Sequence, residues 1–307
     1  MEIKTAAVLG AGAVGGYLIS SLSEKLGDHF CVIAKGERAK RLKRDGLVIN
    51  DVQYTLNVKT PGEAKGVDVL FVVLKYNALE GALEDIAEAV GPETMVVSLM
   101  NGIDSEEIIG KRIGMEHMLY AMIRISSTRE GNRMWFEIPS GIYGIYLGLP
   151  GKKPSEDERI GALVRLFEKT PVLLHLSEDI ERDIWDKFAL NISLNLPQAV
   201  LFVGAGAYND SRYVKSVERK LRLEAVAVAK EKGINIPDEN PPAKYNPPQK
   251  FSTLQDLLAG RHTEIEMFCG ALCRMGEELG VPTPCSGLVY DFIKALEEKN
   301  DGKFDYD

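Results

Sequence analysis

Cysteine is scarce, with only Cys31, Cys269, Cys273 and Cys285 among 307 residues. None of them forms a metal-binding CxxC pair, and their density is far below that of a disulfide-stapled fold. Cys269 and Cys273, four apart on one helical face, read as small core residues rather than a redox pair. Histidine is equally sparse, and His29, His117, His175 and His262 make no triad and no metal spacing. Long apolar runs are missing as well. The two most apolar stretches, 67–74 and 196–207, are too short to cross about 30 Å of hydrocarbon, and Asp68 interrupts the first. No apolar leader with a small-residue cleavage site opens the chain, so residues 1–9 read as the start of a mature cytoplasmic protein. Surplus positive charge is absent too. A net charge of −8 argues against nucleic acid or an anionic membrane as the main partner.

What is present is the balance of an ordinary globular protein, 45% hydrophobic and 27% charged, in a chain long enough for two hydrophobic cores. The first half alternates strand and helix. Residues 5–9, 30–34, 67–74 and 94–100 read as strands, the last two as continuous apolar runs of the kind buried on both faces of a parallel sheet. Helical periodicity occupies 14–26, 37–45, 78–90 and 156–169, and a last strand is expected at 171–176. Residues 117–149 alternate differently and are expected to add several antiparallel strands to the same sheet. After about residue 178 the pattern becomes helical, at 179–203, 211–233, 253–280 and 286–299. The stretch 238–250 holds Pro241, Pro242, Pro247 and Pro248 and reads as a loop. The expected fold class is therefore α/β: a doubly wound sheet over residues 1–177, then an all-helical domain over 178–307.

Gly10-Ala11-Gly12-Ala13-Val14-Gly15 is a G-x-G-x-x-G loop placed directly after a strand and opening a helix. Gly10 suits the tight turn, Gly12 lets a pyrophosphate approach the backbone, and Gly15 permits close helix–strand packing. A dinucleotide is the expected ligand. At the end of the second strand, where an Asp or Glu would receive a ribose 2′-hydroxyl, stands Lys35, with Arg38 one turn on. Both suit a 2′-phosphate and so NADP, although Glu37 lies between them and some of Lys35, Arg38, Lys40 and Arg41 serve to solvate the helix.

In the helical half, Lys187, Asn191 and Asn195 recur at i, i+4 and i+8 and share one stripe, amid Phe188, Leu190, Ile192 and Leu194. Such a polar line either lines a site or is satisfied by hydrogen bonds within a core. Glu264 opens a helix whose apolar stripe is Phe268, Leu272, Met275 and Leu279. A carboxylate there points to a partner or simply favours the first helical turn. Glu224 similarly interrupts the stripe of Val214, Val217, Leu221, Ala225 and Val228.

Taken in order, Gly10–Gly15, Lys75, Asn101-Gly102, Trp185-x-Lys187-x3-Asn191-x3-Asn195, Ser252-x3-Asp256 and Thr263-Glu264-Ile265 resemble the ketopantoate reductases, over nearly the whole chain. The resemblance implies a Rossmann-type domain, a helical domain and an active site in the cleft. It also implies NADPH-dependent reduction of 2-dehydropantoate (ketopantoate) to (R)-pantoate, on the way to pantothenate and coenzyme A. By the same resemblance Lys187 and Glu264 are catalytic, Lys75 and Asn101 lie on the cofactor side, and Asn191, Asn195 and Ser252 bind substrate. Three positions depart from the family's pattern: Lys35 where Arg is common, Met100 where Gln is frequent, and Phe251 where a small or polar residue is usual. The last allows a different acyl group. Rival readings are a related reductase of another 2-oxo acid or imine, and a non-catalytic NADPH-binding sensor. A homodimer is compatible with the sequence.

Overall fold

The computed structural model describes residues 2–138, 140–304 and 306. The chain divides into two compact units, Met1–Glu181 and Arg182–Asp307. The first unit opens with β1 (Ala6–Leu9), α1 (Ala13–Leu26), β2 (Phe30–Ile33) and α2 (Gly36–Asp45), followed by three short strands, β3 (Leu47–Ile49), β4 (Val52–Tyr54) and β5 (Val58–Lys59). It continues through β6 (Val69–Val72), α3 (Leu83–Ala89), β7 (Met95–Ser98), α4 (Ser105–Ile113) and β8 (Met118–Arg124). It ends with β9 (Ser127–Glu130), β10 (Arg133–Phe136), β11 (Gly144–Gly148), α5 (Glu158–Phe167) and β12 (Leu174–Leu176).

The main sheet has eight strands in the order β12-β11-β8-β7-β6-β1-β2-β5. From β8 to β5 every neighbouring pair is parallel. Alternation along β1 explains its burial on both faces: Ala6 and Val8 join one core, Ala7 and Leu9 the other. β6 divides the same way, with Val69 and Phe71 on one face and Leu70 and Val72 on the other. Only a sheet covered on both sides can use such strands.

The expectation that 117–149 extends this sheet throughout is corrected. β8 and β11 pair antiparallel within it, but β9 and β10 leave it. Their hairpin joins β3 and β4 in a second sheet of order β4-β3-β10-β9, where β10 runs parallel to β3. Period-two alternation marks a strand without naming its sheet. The choice is made by packing, since Met134 of β10 is fully buried and lies against α1 at Gly16.

The second unit takes in most of α6 (Ile180–Leu201), then α7 (Ala207–Asp210), α8 (Arg212–Glu231), α9 (Ser252–Leu258), α10 (Ala271–Leu279) and α11 (Pro284–Asn300). The continuous helix expected over 253–280 is broken between α9 and α10. Gly260 is left-handed (φ 62°), and a π turn over Glu266–Gly270 leads into α10. Beyond the break a distant contact holds the chain: the Thr263 N–H and hydroxyl both donate to Glu297 Oε1 of α11 at 2.7 Å. No local pattern encodes that anchor. Glu224 also finds a plain role, accepting from the Cys285 and Ser286 N–H groups at 2.7 and 2.8 Å and so satisfying donors at the start of α11.

Arg222 of α8, 1% exposed, gathers this unit's interior polar groups. It donates to Asp186 Oδ1 of α6 at 2.5 Å, to Asn240 Oδ1 at 2.6 Å and twice to the Pro237 carbonyl. Asn240 in turn donates to Ser193 and Glu218, both at 2.8 Å. Removing the guanidinium strips three acceptors at once, breaks the ion pair with half-buried Asp186 and leaves a hole at a fully buried position. Arg222→Ala is expected to cost about 3–5 kcal/mol in urea denaturation; a loss below about 1 kcal/mol would show that the network is dispensable.

Candidate functional site

In the first unit the expected cofactor residues lie along one edge of the main sheet, where parallel strands end. The glycine loop follows β1, Lys35 follows β2, Lys75 follows β6 and Asn101 follows β7. The strand order reverses at β1 and β6, and this carboxyl-end switch point is where open α/β sheets bind ligands.

Each glycine of the loop has a distinct reason. Gly10 has φ 117°, and a Cβ there would stand 2.4 Å from the Val73 carbonyl oxygen. A Cβ on Gly15 would stand 2.0 Å from the Gly10 carbonyl oxygen, so α1 can approach the strand end only as glycine. Gly12 is different: a Cβ there would meet just the Arg129 guanidinium, at 3.9 Å. Its bareness keeps space open above the backbone rather than relieving a protein contact. Ala11 is buried, while Ala13 and Val14 are half-buried in the first turn of α1. That helix has no side-chain cap and no acid in its first turn, so its leading N–H groups and positive dipole end remain available to an anion. These features fit a dinucleotide pyrophosphate.

Lys35 is exposed and ion-paired with Asp85, whose carboxylate holds the ammonium above its ordinary range. Lys75 is exposed at the turn after β6. Asn101 is half-buried beside Gly102 (φ 104°), in the turn between β7 and α4. The Tyr76 hydroxyl donates to Asp104 Oδ2 at 2.7 Å and ties these two turns together.

Sequence reading missed Glu106, in the first turn of α4. It is 4% exposed and accepts from the Ser105 hydroxyl at 2.8 Å, which in turn meets the Ser98 hydroxyl at 2.8 Å. Burial pushes its carboxyl up to about 7, against the opposing pull of the Ser105 hydroxyl and backbone donors. An acid in a first helical turn looks ordinary, and its burial has no local signal.

In the second unit α6 carries the polar stripe as expected. Lys187 and Asn191 are half-buried and Asn195 is 8% exposed. Among the described residues the Asn191 amide has no hydrogen-bond partner. The Asn195 amide donates to the Ser252 hydroxyl at 3.4 Å, bringing together residues 57 apart in the chain. Gln198, fully buried and absent from the expected site, is the bracket. It donates to the Gln249 carbonyl at 3.0 Å and accepts from the Phe251 N–H at 2.6 Å, strapping the end of the proline-rich loop to α6. Gly204 lets that loop cross closely, since a Cβ there would stand 2.0 Å from the Pro247 carbonyl oxygen. Phe251 packs with Tyr245 and the Leu194–Tyr208 cluster, so its ring is drawn into the unit's own core. Glu264 is half-buried and follows the Glu297-anchored Thr263; its carbonyl accepts from the Met267 and Phe268 N–H groups at 3.1 Å. Cys269 is buried, and burial pushes its thiol well up, which suits a core residue.

Gly12→Ala should change stability by no more than about 1 kcal/mol, because its backbone is extended and its surroundings open. Gly15→Ala should lose about 1–3 kcal/mol from overpacking. Calorimetry should nonetheless find dinucleotide binding weakened about tenfold or more by Gly12→Ala. For Glu106, the folded protein keeps the proton between the ordinary carboxyl value of 4.5 and about 7 while the unfolded chain loses it. Stability therefore falls as pH rises through that window. Glu106→Gln removes this loss, so denaturation at pH 8 should favour the variant by roughly 3 kcal/mol more than at pH 5.

The profile described as ketopantoate reductase PanE/ApbA matches residues 6–144, and that of the PanE/ApbA C-terminal region matches residues 179–297. The 2-dehydropantoate 2-reductase of Caulobacter vibrioides is 29% identical over 299 residues, spanning 94% of this chain and 98% of its own. Of solved structures, the PanE/ApbA family ketopantoate reductase from Ralstonia eutropha JMP134 superposes with a TM-score of 0.79 at 22% identity, over 97% of this chain and 99% of the other. D-mandelate dehydrogenase, solved with NADH and anilino(oxo)acetate, superposes at 0.82 with 23% identity over the same shares. Among the described residues no helix is long and apolar enough to cross a membrane. With its glycine-loop sheet and its helical unit both matched, the chain belongs to the ketopantoate reductase family of oxidoreductases.

Proposed function

We propose that this protein reduces ketopantoate to (R)-pantoate with NADPH. The observation that carries the reading is the face of α6, where Lys187, Asn191 and Asn195 stand in line and Asn195 reaches Ser252. That face offers one cation and three neutral groups able to donate hydrogen bonds, a set suited to a small 2-oxo acid bearing a hydroxyl. NADPH is preferred to NADH in this reading because the chain after β2 is basic and has no carboxylate at the strand end.

A nicotinamide held by the glycine loop would supply hydride for the C2 carbonyl carbon. Negative charge then grows on the carbonyl oxygen, and Lys187 polarises that oxygen and gives it a proton. Asn191, Asn195 and Ser252 hold the substrate's carboxylate and hydroxyl without adding a mismatched charge. Glu264 holds Lys187 in place or accepts from the substrate hydroxyl, and the Glu297 anchor on Thr263 fixes where it starts. The glycine loop would seat the pyrophosphate, Asn101 would lie towards the nicotinamide ribose, and Lys75 would offer a cation to cofactor or substrate.

The test is the fall of nicotinamide absorbance with purified protein and ketopantoate, with NADPH and NADH run in parallel. Rapid turnover that prefers NADPH is expected, and Lys187→Ala should lower kcat by about 10²- to 10⁴-fold while the protein stays folded. NADPH binding without turnover would reject ketopantoate and direct the search to other 2-oxo acids. A Lys187→Ala variant with near-normal kcat would remove the lysine from the mechanism.

A further inference from the structure

Three guanidinium groups from two stretches of the first unit are near enough to repel one another, one of them beside the glycine loop. Arg38 and Arg41 lie three apart on α2, and Arg129 comes from β9 of the second sheet. In the register of that sheet Arg129 sits directly opposite Met134. Opposed residues of an antiparallel pair point to the same side, so both face α1. Met134 is the side chain that fills the space at Gly16, where a Cβ would stand 2.0 Å from its sulfur. The packing that docks the second sheet on α1 therefore also delivers Arg129 to the loop. Its Nη1 donates to the Ala11 carbonyl at 3.2 Å and its Nε to the Gly131 carbonyl at 2.9 Å. Three of the five guanidinium N–H donors remain unused.

Charge around this point is unbalanced. Glu37 is paired with Lys40, Asp45 with Arg44, and Asp85 with Lys35. Among the described residues no carboxylate pairs with Arg38, Arg41 or Arg129. Desolvation first, then the charges of Arg38 and Arg41, hold Arg129 below the ordinary guanidinium range. Arg38 is lowered by desolvation and by Arg41. Three like charges kept together without counter-ions make a receptor for a dianion, and guanidinium forks match phosphate geometry. Pyrophosphate belongs to the α1 N-terminus; the position beyond the end of β2 is where the adenosine ribose of a dinucleotide lies.

We propose that Arg129, with Arg38 and Arg41, grips the 2′-phosphate of NADP(H), and that the second sheet rather than the β2 turn alone sets the cofactor preference. This rests on the reading of the glycine loop as a dinucleotide site. It does not depend on which 2-oxo acid is reduced.

The experiment is calorimetric titration of the full-length protein and its Arg129→Ala variant with NADP+, NAD+, 2′,5′-ADP and 5′-AMP, without substrate. Loss of charge-assisted hydrogen bonds to a dianion should weaken NADP+ and 2′,5′-ADP by about 10- to 100-fold. NAD+ and 5′-AMP should change by less than about threefold, and the salt dependence of NADP+ binding should become shallower. Thermal unfolding of the free variant checks that the loop and second sheet remain folded. Equal weakening of all four ligands would overturn the proposal, placing Arg129 on structure or on a group common to them. An unchanged NADP+ affinity, or a wild-type protein that binds NADP+ no better than NAD+, would overturn it as well. Because binding rather than turnover is read, the titration tests Arg129 even if the enzyme is inactive on ketopantoate.

Discussion

The close approach of α1 to the end of β1 is the constraint on which the first unit depends. Gly15 sits so near the Gly10 carbonyl that no side chain fits between them, and Gly10 is itself pressed against the Val73 carbonyl of the β6 chain. One helix is thereby fixed against two strands at the point where strand order reverses. Its opposite side is pinned by Met134 at Gly16. Held on both sides, α1 presents its N-terminal donors in a fixed direction, and a rigid, unpaired helix end is what an anion site requires.

The second unit reaches a similar end by another means. Its key helix is not wedged by glycines but clamped through polar groups, by Arg222 on Asp186 and by Gln198 on the returning loop. Buried polar networks of this kind contribute little net stability against an apolar core, but they fix rotation and register. For α6 that rotation decides which way Lys187, Asn191 and Asn195 face.

How much of this was legible in the sequence depended on whether the cause was local. Gly10–Gly15 and the Lys187–Asn191–Asn195 stripe are short-range patterns, and their structural settings follow from strand and helix periodicity. The double burial of β6 and β7 was equally plain from unbroken apolar runs. The second sheet was not, because the alternation of residues 127–136 is the same whichever sheet receives it. Nor was the placing of Thr263, which a carboxylate 34 residues away holds. Arg129 carries no local mark, because its place beside Ala11 depends on a hairpin register and on Met134. Glu106 and Gln198 likewise draw their meaning from burial, which no spacing announces.

Gln198 has a consequence for the kinds of sequence this fold admits. Its side chain gives a hydrogen bond to one carbonyl and takes one from an N–H two residues later in the same strap. A carboxylate has nothing to give, an ammonium nothing to take, and asparagine falls one methylene short. A glutamine amide carries the donor and the acceptor on one planar group of the right reach, so a single side chain closes both ends of the strap. A change at Gln198 therefore loosens both ends of the strap together, whereas its neighbours can change without untying it from α6.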